Sequence, residues 1–422
     1  MEPRYSLALD EIDLSDFDGF WTLPLEEREG AFAKLRAERP VAYCRPPDIE
    51  FFAVDGYYAI TRHRDIIEAS RHPEQFCSGH GATSVFDMPA EFNEFYGSMI
   101  NMDDPRHARL RRIVSRAFTP AITRGIEEHV QVFASEIVEE VGPLGGCDFV
   151  TEIASRLPLR VICEMMGVPA SQYQFVLDRS NVILGAGDPE YIPDRDDIVT
   201  AVLAAGQDLA SLMRDLGQSR RENPVEDLTS ALVNAEVDGE RLTEDELASF
   251  FILLCVAGNE TTRNAISWGL KLLTDHPDQR EIWRADFERV APTAVEEIVR
   301  IASPVIWMRR TATRDSELGG HSFREGDRLL LFYWSANRDE SVFEDPYRFD
   351  VLRTPNEHVG FGGPGAHFCL GAHLARREIT VMFRELFARL PDIEASGEPQ
   401  RLHSNFINGV KHLPCAFTQR EA

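Results

Sequence analysis

The chain has 422 residues, 43% hydrophobic and 27% charged, with a formal net charge of −26, a composition that builds a soluble globular protein with room in its core for a cofactor. So negative a chain is excluded from nucleic acid and from anionic membrane surfaces, because both need clustered Lys and Arg. Seven irregularly placed cysteines (Cys44, Cys77, Cys147, Cys163, Cys255, Cys369 and Cys415) form no disulfide framework and fit a reducing cytoplasm, and Met1 to Phe20 shows neither an export leader nor an apolar anchor.

No Gly/Ser linker, charge block or low-complexity run divides the chain, so one helix-rich domain is expected over residues 1–422, with 1–20 as an extended segment. Leu25 to Arg39 reads as a short helix closed by Pro40. Val54, Tyr57, Tyr58 and Ile60 around Asp55-Gly56 predict a hairpin turn and the start of a small sheet. Arg62 to Ser70 reads as a helix, and Gly79 to Ala90 as a loop carrying Val85, Phe86 and Met88. In Met99 to Arg112, Asp103 or Asp104 caps a helix opened by Pro105, which places His107 and Arg111 on one face. Such a pair suits an anionic ligand, although spacing alone more often marks a solvated face. Arg106, Arg109, Arg112 and Arg116 crowd the same segment.

Phe149 to Pro169 is a core helix by its apolar spacing and its Gly-Val-Pro stop. Val182 to Gly187, followed by Pro189 and Pro193, reads as a broken segment between helices. A long helix runs from Thr243 to His276: Thr243 and Glu246 form a capping box, apolar residues fill Leu247 to Ala257, and Pro277 ends it. A helix apolar on every side threads the core. In its middle stands Ala257-Gly258-Asn259-Glu260-Thr261-Thr262, where a glycine, a carboxylate and hydroxyls cost stability without a structural return. Small residues there let a flat ligand approach, Thr261 can disturb the local helix bonding, and Glu260 offers a proton. Downstream, Glu297 and Arg300 share a helix face, Pro304 to Arg310 is strand-like, Leu318 to Phe332 adds more small sheet, and Ser404 to Lys411 reads as a hairpin.

The most informative stretch is Phe361-Gly362-Gly363-Pro364-Gly365-Ala366-His367-Phe368-Cys369-Leu370-Gly371, followed by a helical run from Ala372 to Leu390 with Arg376 and Arg377 in its first turns. Glycines and a proline this dense force a tight turn. A thiol at the start of a helix lies near unpaired N–H groups and the positive helix end, which favours thiolate. No second cysteine stands at C-x-x-C spacing, which argues against zinc and for a single axial thiolate on haem iron. The same glycines as a phosphate cradle would need a strand just before them and a second strand carrying the acid; the preceding residues are polar and Glu385 lies in a helical run.

This loop resembles the haem-binding loop of the cytochromes P450, F-G-x-G-x-H-x-C-x-G, with an extra glycine-proline step as its one departure. The matching positions are Phe361, Gly362, Gly365, His367, Cys369 and Gly371. Ala257 to Thr261 is similar to the family's A-G-x-[DE]-T oxygen-activation motif, and Glu297 and Arg300 to its E-x-x-R pair. The resemblance covers the chain from about Leu25 onward. It implies the family's mainly α (α+β) fold, a large helical domain with small β-sheets around a buried haem b. Cys369 is then the iron ligand, and His107, Arg111, Arg310 and His367 are propionate partners. Ala257 and Gly258 border the cofactor, Glu260 and Thr261 handle protons during dioxygen activation, and Arg348 completes the Glu297–Arg300 network. Implied partners are a ferredoxin and its reductase bringing electrons from NAD(P)H, with the arginines on the other faces of the His107–Arg111 segment, Arg106, Arg109, Arg112 and Arg116, as a docking patch for an acidic redox protein or else a solvated face. The implied activity is hydroxylation of a bulky hydrophobic substrate by a cytoplasmic monomer. The alternative is a haem-bound ligand sensor or carrier that never turns over; a peroxide-using variant fits less well with Glu260 and Thr261 in place. The hairpin S-N-F-I-N-G-x-K looks most like actinobacterial members that oxidise sterols and methyl-branched lipids. Apolar candidates for the pocket wall are Phe95, Met99, Ile100, Leu254, Val305, Ile306, Trp307 and Phe406.

Overall fold

Helical signals dominate the sequence, and the computed structural model, which describes residues 2–45, 56–118, 120–236 and 239–420, turns them into fourteen α-helices. They are α1 (Leu25–Glu38), α2 (His63–Arg71), α3 (Ala90–Gly97), α4 (Arg106–Ala117), α5 (Pro120–Val141), α6 (Arg156–Met166), α7 (Tyr173–Leu184), α8 (Ile198–Glu222), α9 (Leu228–Asn234), α10 (Glu244–Asp275), α11 (Pro277–Ala285), α12 (Phe287–Ala302), the single turn α13 (Tyr333–Ala336) and α14 (Ala372–Arg389). The strands are β1 (Val41–Cys44), β2 (Tyr57–Ile60), β3 (Phe76–Cys77), β4 (Gly146–Asp148), β5 (Trp307–Ala312), β6 (Ser316–Leu318), β7 (His321–Phe323), β8 (Arg328–Phe332), β9 (Glu394–Ala395), β10 (Gln400–Arg401), β11 (Val410–His412) and β12 (Pro414–Ala416).

Helix α10 organises the rest. Thr243 Oγ1 accepts from the Glu246 amide at 3.1 Å while Glu246 Oε2 accepts from the Thr243 amide at 2.9 Å, the reciprocal cap that the spacing predicts. At about 1.5 Å per residue the rod is roughly 48 Å long, and Phe250, Phe251, Ile252, Ile266, Trp268 and Leu270 are all buried on it. Helices α5, α6, α8, α12 and α14 join it in one apolar core.

A five-stranded sheet in the order β1-β2-β8-β5-β3 stands beside the helices; β2 and β8 run parallel and the other pairs antiparallel. Its apolar side meets α1 and the first residues of the chain, where Leu14, Phe20, Trp21 and Phe32 pack with Phe332 and Trp334. The extended N-terminal segment is thus anchored. A three-stranded sheet β4-β12-β9 and the pairs β6-β7 and β10-β11 complete the strands.

Four local expectations meet the structure as follows. Residues 46–55 lie outside the described residues, and with them the turn at Asp55; Gly56 follows with φ +107° and leads into β2. Asp104, not Asp103, caps α4 by accepting from the Ala108 amide, because the Asp103 carboxylate is taken by the amides of Ser78 and Gly79. Val182, Ile183 and Leu184 are the last turn of α7, so the irregular segment starts only at Gly185. The core helix predicted over 149–169 begins with a π-helical turn, Val150–Ala154, before α6.

Candidate functional site

The loop from Phe361 to Gly371 wraps against the C-terminal end of α2. A side chain at Gly363 would run into Ser70 Oγ, and one at Gly365, whose φ is +156°, into the Ser70 carbonyl, so both positions must stay bare. The turn closes with the Cys369 amide donating to the Phe361 carbonyl at 3.0 Å. Arg376 stacks over the Phe361 ring at 4.3 Å and pairs with Glu296, while Arg111 of α4 donates to the Phe368 carbonyl at 2.8 Å.

Cys369 departs from the expectation of a thiolate. Burial among protein atoms raises its pKa, and this outweighs the amides of Gly371 and Ala372 and the charges of Arg111 and Arg376, all of which lower it. Cys369 is nonetheless the one cysteine of the seven classed as exposed. A sulfur that helix amides alone do not ionise becomes a thiolate when a cation binds it.

Four cationic or donor groups converge beside it. The His107 and His367 rings lie 4.3 Å apart, and Arg310 on β5 is buried with Nη1 on the Arg309 carbonyl at 2.8 Å. Burial, then the charges of Arg310, His107 and Arg111, pushes the His367 pKa down to about 2. His107 Nε2 is buried without a hydrogen-bond partner. An orphaned ring nitrogen and a histidine repelled by its neighbours fit a ligand carrying carboxylates next to the sulfur, which is what an iron porphyrin brings.

The motif on α10 is built differently from its sequence reading. Thr261 Oγ1 donates to the Ala257 carbonyl at 2.7 Å, the local disturbance expected of it, yet the helix continues without a break. Gly258 faces α6: a Cβ there would lie 2.8 Å from Ile162 Cδ1, so its smallness also serves helix packing. Glu260 is buried and bonded to Arg263 and, at 3.0 Å, to Asn264 Nδ2. Arg263 in turn reaches Asn181 of α7 at 3.0 Å. Solvent does not touch the carboxylate directly. Both polar atoms of the buried Asn259 side chain lack partners, a feature that the sequence did not single out.

Below the loop, Glu297 and Arg300 form a two-pronged pair at 2.8 Å with both side chains at 0% exposure. The third side chain of this network is Arg353, 3.1 Å from Glu297 Oε1 and 10% exposed. Arg348 lends only its backbone carbonyl, its own side chain being 61% exposed near Asp350. The spacing of the D-P-Y-R-F stretch pointed to the wrong arginine because the chain turns between the two. Asn356 Nδ2 and the Asp350 amide fill the remaining positions on Glu297.

Of the wall candidates, Met99, Ile306 and Trp307 are buried in the core, and Trp307 stacks edge-on with Phe406 while its Nε1 donates to the Asn405 carbonyl. Phe95, Ile100, Leu254, Val305 and Phe406 are partly open. The basic patch is also thinner than the sequence suggests, since Arg106 is paired with Glu94 and Arg109 with Glu240 and Glu246. The irregular segment after α7 is held to β11: Lys411 pairs with Asp188 at 3.0 Å and Glu190 at 2.7 Å, and His412 bridges Asp148 and Glu190. Among the described residues no helix is long and apolar enough to cross a membrane.

The profile described as Cytochrome P450 matches residues 201–391. A methyl-branched lipid omega-hydroxylase of Mycobacterium tuberculosis is 50% identical over 422 residues, covering 99% of this chain and 97% of the relative. A steroid C26-monooxygenase of Rhodococcus jostii is 42% identical over 388 residues, covering 90% and 80%. The solved structure of a Mycobacterium marinum cytochrome P450 in complex with pseudoionone superposes with a TM-score of 0.89 at 44% identity, covering 94% of this chain and 96% of that one.

Proposed function

The chain belongs to the cytochrome P450 family, and from that premise we propose how its residues divide the work and which substrates it takes. It is a monooxygenase that uses haem b, dioxygen and electrons derived from NAD(P)H to hydroxylate a hydrophobic molecule. When bound, the haem supplies dioxygen activation and the oxidation of the C–H bond. Cys369 is its thiolate ligand. His107, Arg111, Arg310 and His367 hold its carboxylates, and Phe361, Gly362 and Gly371 shape the loop around the sulfur. The observation that carries this assignment is the orphaned His107 Nε2 beside the destabilised His367, two donors gathered with arginines around the one cysteine classed as exposed.

Thr261 keeps its hydroxyl on the Ala257 carbonyl, which leaves the oxygen lone pairs free to accept from a protonated species in the pocket. Glu260 moves protons toward it. Because both carboxylate oxygens are engaged by Arg263 and Asn264, the relay includes a rotation of Glu260 away from the guanidinium, and Arg263 and Asn181 lead outward from it. Replacing Thr261 by Ala lowers product formed per NAD(P)H consumed several-fold; unchanged coupling would overturn this role.

The substrate is a methyl-branched lipid or a sterol with a branched side chain, oxidised near the chain end. The names of the two relatives and the hairpin Ser404 to Lys411 support this class, and the partly open Phe95, Ile100, Leu254, Val305 and Phe406 supply an apolar wall. The names of these two relatives, a hydroxylase and a monooxygenase, favour turnover over sensing. Electrons arrive from a ferredoxin docking where Phe368 and Leu370, exposed large apolar side chains, stand near Arg111 and the exposed Arg112 and Arg116 of α4. The test is the absorbance of the dithionite-reduced protein under carbon monoxide: wild type gives the red-shifted band of thiolate-ligated haem and Cys369→Ser loses it, whereas an unaltered band in the variant sinks the assignment. With surrogate ferredoxin and reductase, branched fatty acids and sterols give hydroxylated product; no product from any of them overturns the substrate class.

A further inference from the structure

Two cysteines far from the haem-binding loop face each other across a sheet. Cys147 on β4 and Cys415 on β12 are direct partners in the antiparallel register, and their sulfurs are 3.7 Å apart as free thiols. The flanking Phe149 amide donates to the Leu413 carbonyl and the Phe417 amide to the Gly145 carbonyl, which makes Cys147 and Cys415 a hydrogen-bonded pair of the ladder. Such pairs hold their Cα atoms about 5.5 Å apart, inside the span that a disulfide bridges. The strands are pinned on both sides of the pair, on one by the Phe417 amide on the Gly145 carbonyl and on the other by the Asp148 carboxylate, which accepts from the Leu413 amide at 3.1 Å and is bonded to His412. Access differs between the sulfurs: besides Cys369, Cys147 is the one cysteine that is not buried, while Cys415 is.

The geometry points to Cys147 and Cys415 as a reversible oxidation site that forms an intrachain disulfide when the protein meets hydrogen peroxide, the product of dioxygen reduction that fails to oxidise substrate. One sulfur of the pair attacks peroxide, the O–O bond breaks, and sulfenic acid and one water result. The other sulfur then displaces the sulfenic oxygen, which leaves with the thiol proton as a second water, so two thiols have given up two electrons and one S–S bond has formed. The bond spans 268 positions of sequence and would fasten the C-terminal strands to the chain entering α6. Strand β11, just before β12, is seated on α10 through the Val410 amide on Asn264 Oδ1 at 2.9 Å, so the cross-link also restrains the hairpin that carries Phe406.

The experiment treats the haem-loaded full-length protein with hydrogen peroxide and, in a separate arm that spares the haem, with the thiol oxidant diamide. Thiols are then blocked in denaturant and peptides mapped with and without dithiothreitol. The expected result is a linked peptide joining Cys147 and Cys415, released by dithiothreitol, faster migration of the unreduced denatured chain, and an unfolding temperature several degrees higher in the oxidised protein. In Cys147→Ser the Cys415 thiol stays free under the same treatment. Both thiols still free after an exposure that exhausts a small dithiol control, or linkage of either cysteine to a different one, would overturn the inference, and the migration shift needs no variant at all.

Discussion

Two ionic clusters of this molecule use the same chemistry in opposite settings. Glu297, Arg300 and Arg353 meet in the dry interior beneath the haem-binding loop, while Asp188, Glu190, Lys411, His412 and Asp148 meet at a partly open surface where the segment after α7 touches β11. In the first, burial raises the Glu297 pKa and the hydrogen bonds and charges of Arg300 and Arg353 more than reverse it. Every oxygen there is taken, so removing one partner strands charge in the core. In the second, Asp188 is buried but Glu190, Lys411, His412 and Asp148 keep water as an alternative. A buried cluster fixes a structure, and an exposed one adjusts it.

The comparison breaks first at Glu297. Glu297→Ala is expected to destabilise the protein by about 3–5 kcal/mol, seen as a lower urea midpoint and as loss of haem during purification. Next comes the choice between two arginines. Arg353→Ala should cost about 1–3 kcal/mol by leaving Glu297 short of donors, whereas Arg348→Ala should stay within about 0.5 kcal/mol because its side chain is exposed; equal midpoints for the two variants would return Arg348 to the network. The smallest effect belongs to His412. Burial lowers its pKa, but the bonds to Asp148 and Glu190 prevail and raise it above the ordinary 6.5. A raised value in the folded state means that its stabilisation is complete below pH about 6.5 and is lost as pH climbs through the raised value. Burial raises the pKa values of Asp188 and Glu190, and their amide, Lys411 and His412 contacts bring both below the ordinary 3.8 and 4.5, so their share is present above those values and disappears in acid. The surface cluster is therefore complete between pH about 4.5 and 6.5. Hydrogen exchange of residues 185–197 should quicken from pH 6 to pH 8 after correction for intrinsic rates, and His412→Ala should remove that change for a loss of a few tenths of a kcal/mol.

The same contrast explains what could be read from the sequence. Thr243 with Glu246, the apolar run of α10, the glycines before Cys369 and the pair Glu297 and Arg300 all act within a few residues of themselves, so their spacing carries their meaning. The spacing points to Arg348 rather than Arg353 because which arginine turns inward depends on how the chain bends after α13. Gly258 reads as room for a ligand, while in the fold its neighbours include Ile162 of α6, because spacing on one helix cannot report the helix packed against it. Likewise Met99, Ile306 and Trp307 look like pocket wall in a sequence, since an apolar side chain does not say which of two apolar places it fills. The Lys411 and His412 cluster joins positions more than 200 residues apart, a distance at which single charges leave no pattern.

Ser70 bears on any attempt to move chemistry between chains. Its hydroxyl and carbonyl occupy the places where side chains at 363 and 365 would begin, so the segment that grips the iron is cast against the end of α2 as against a mould. Transplanting those eleven residues into a foreign scaffold would carry the letters but leave the mould behind, and a graft that kept its grip would have to bring the last turn of α2 with it.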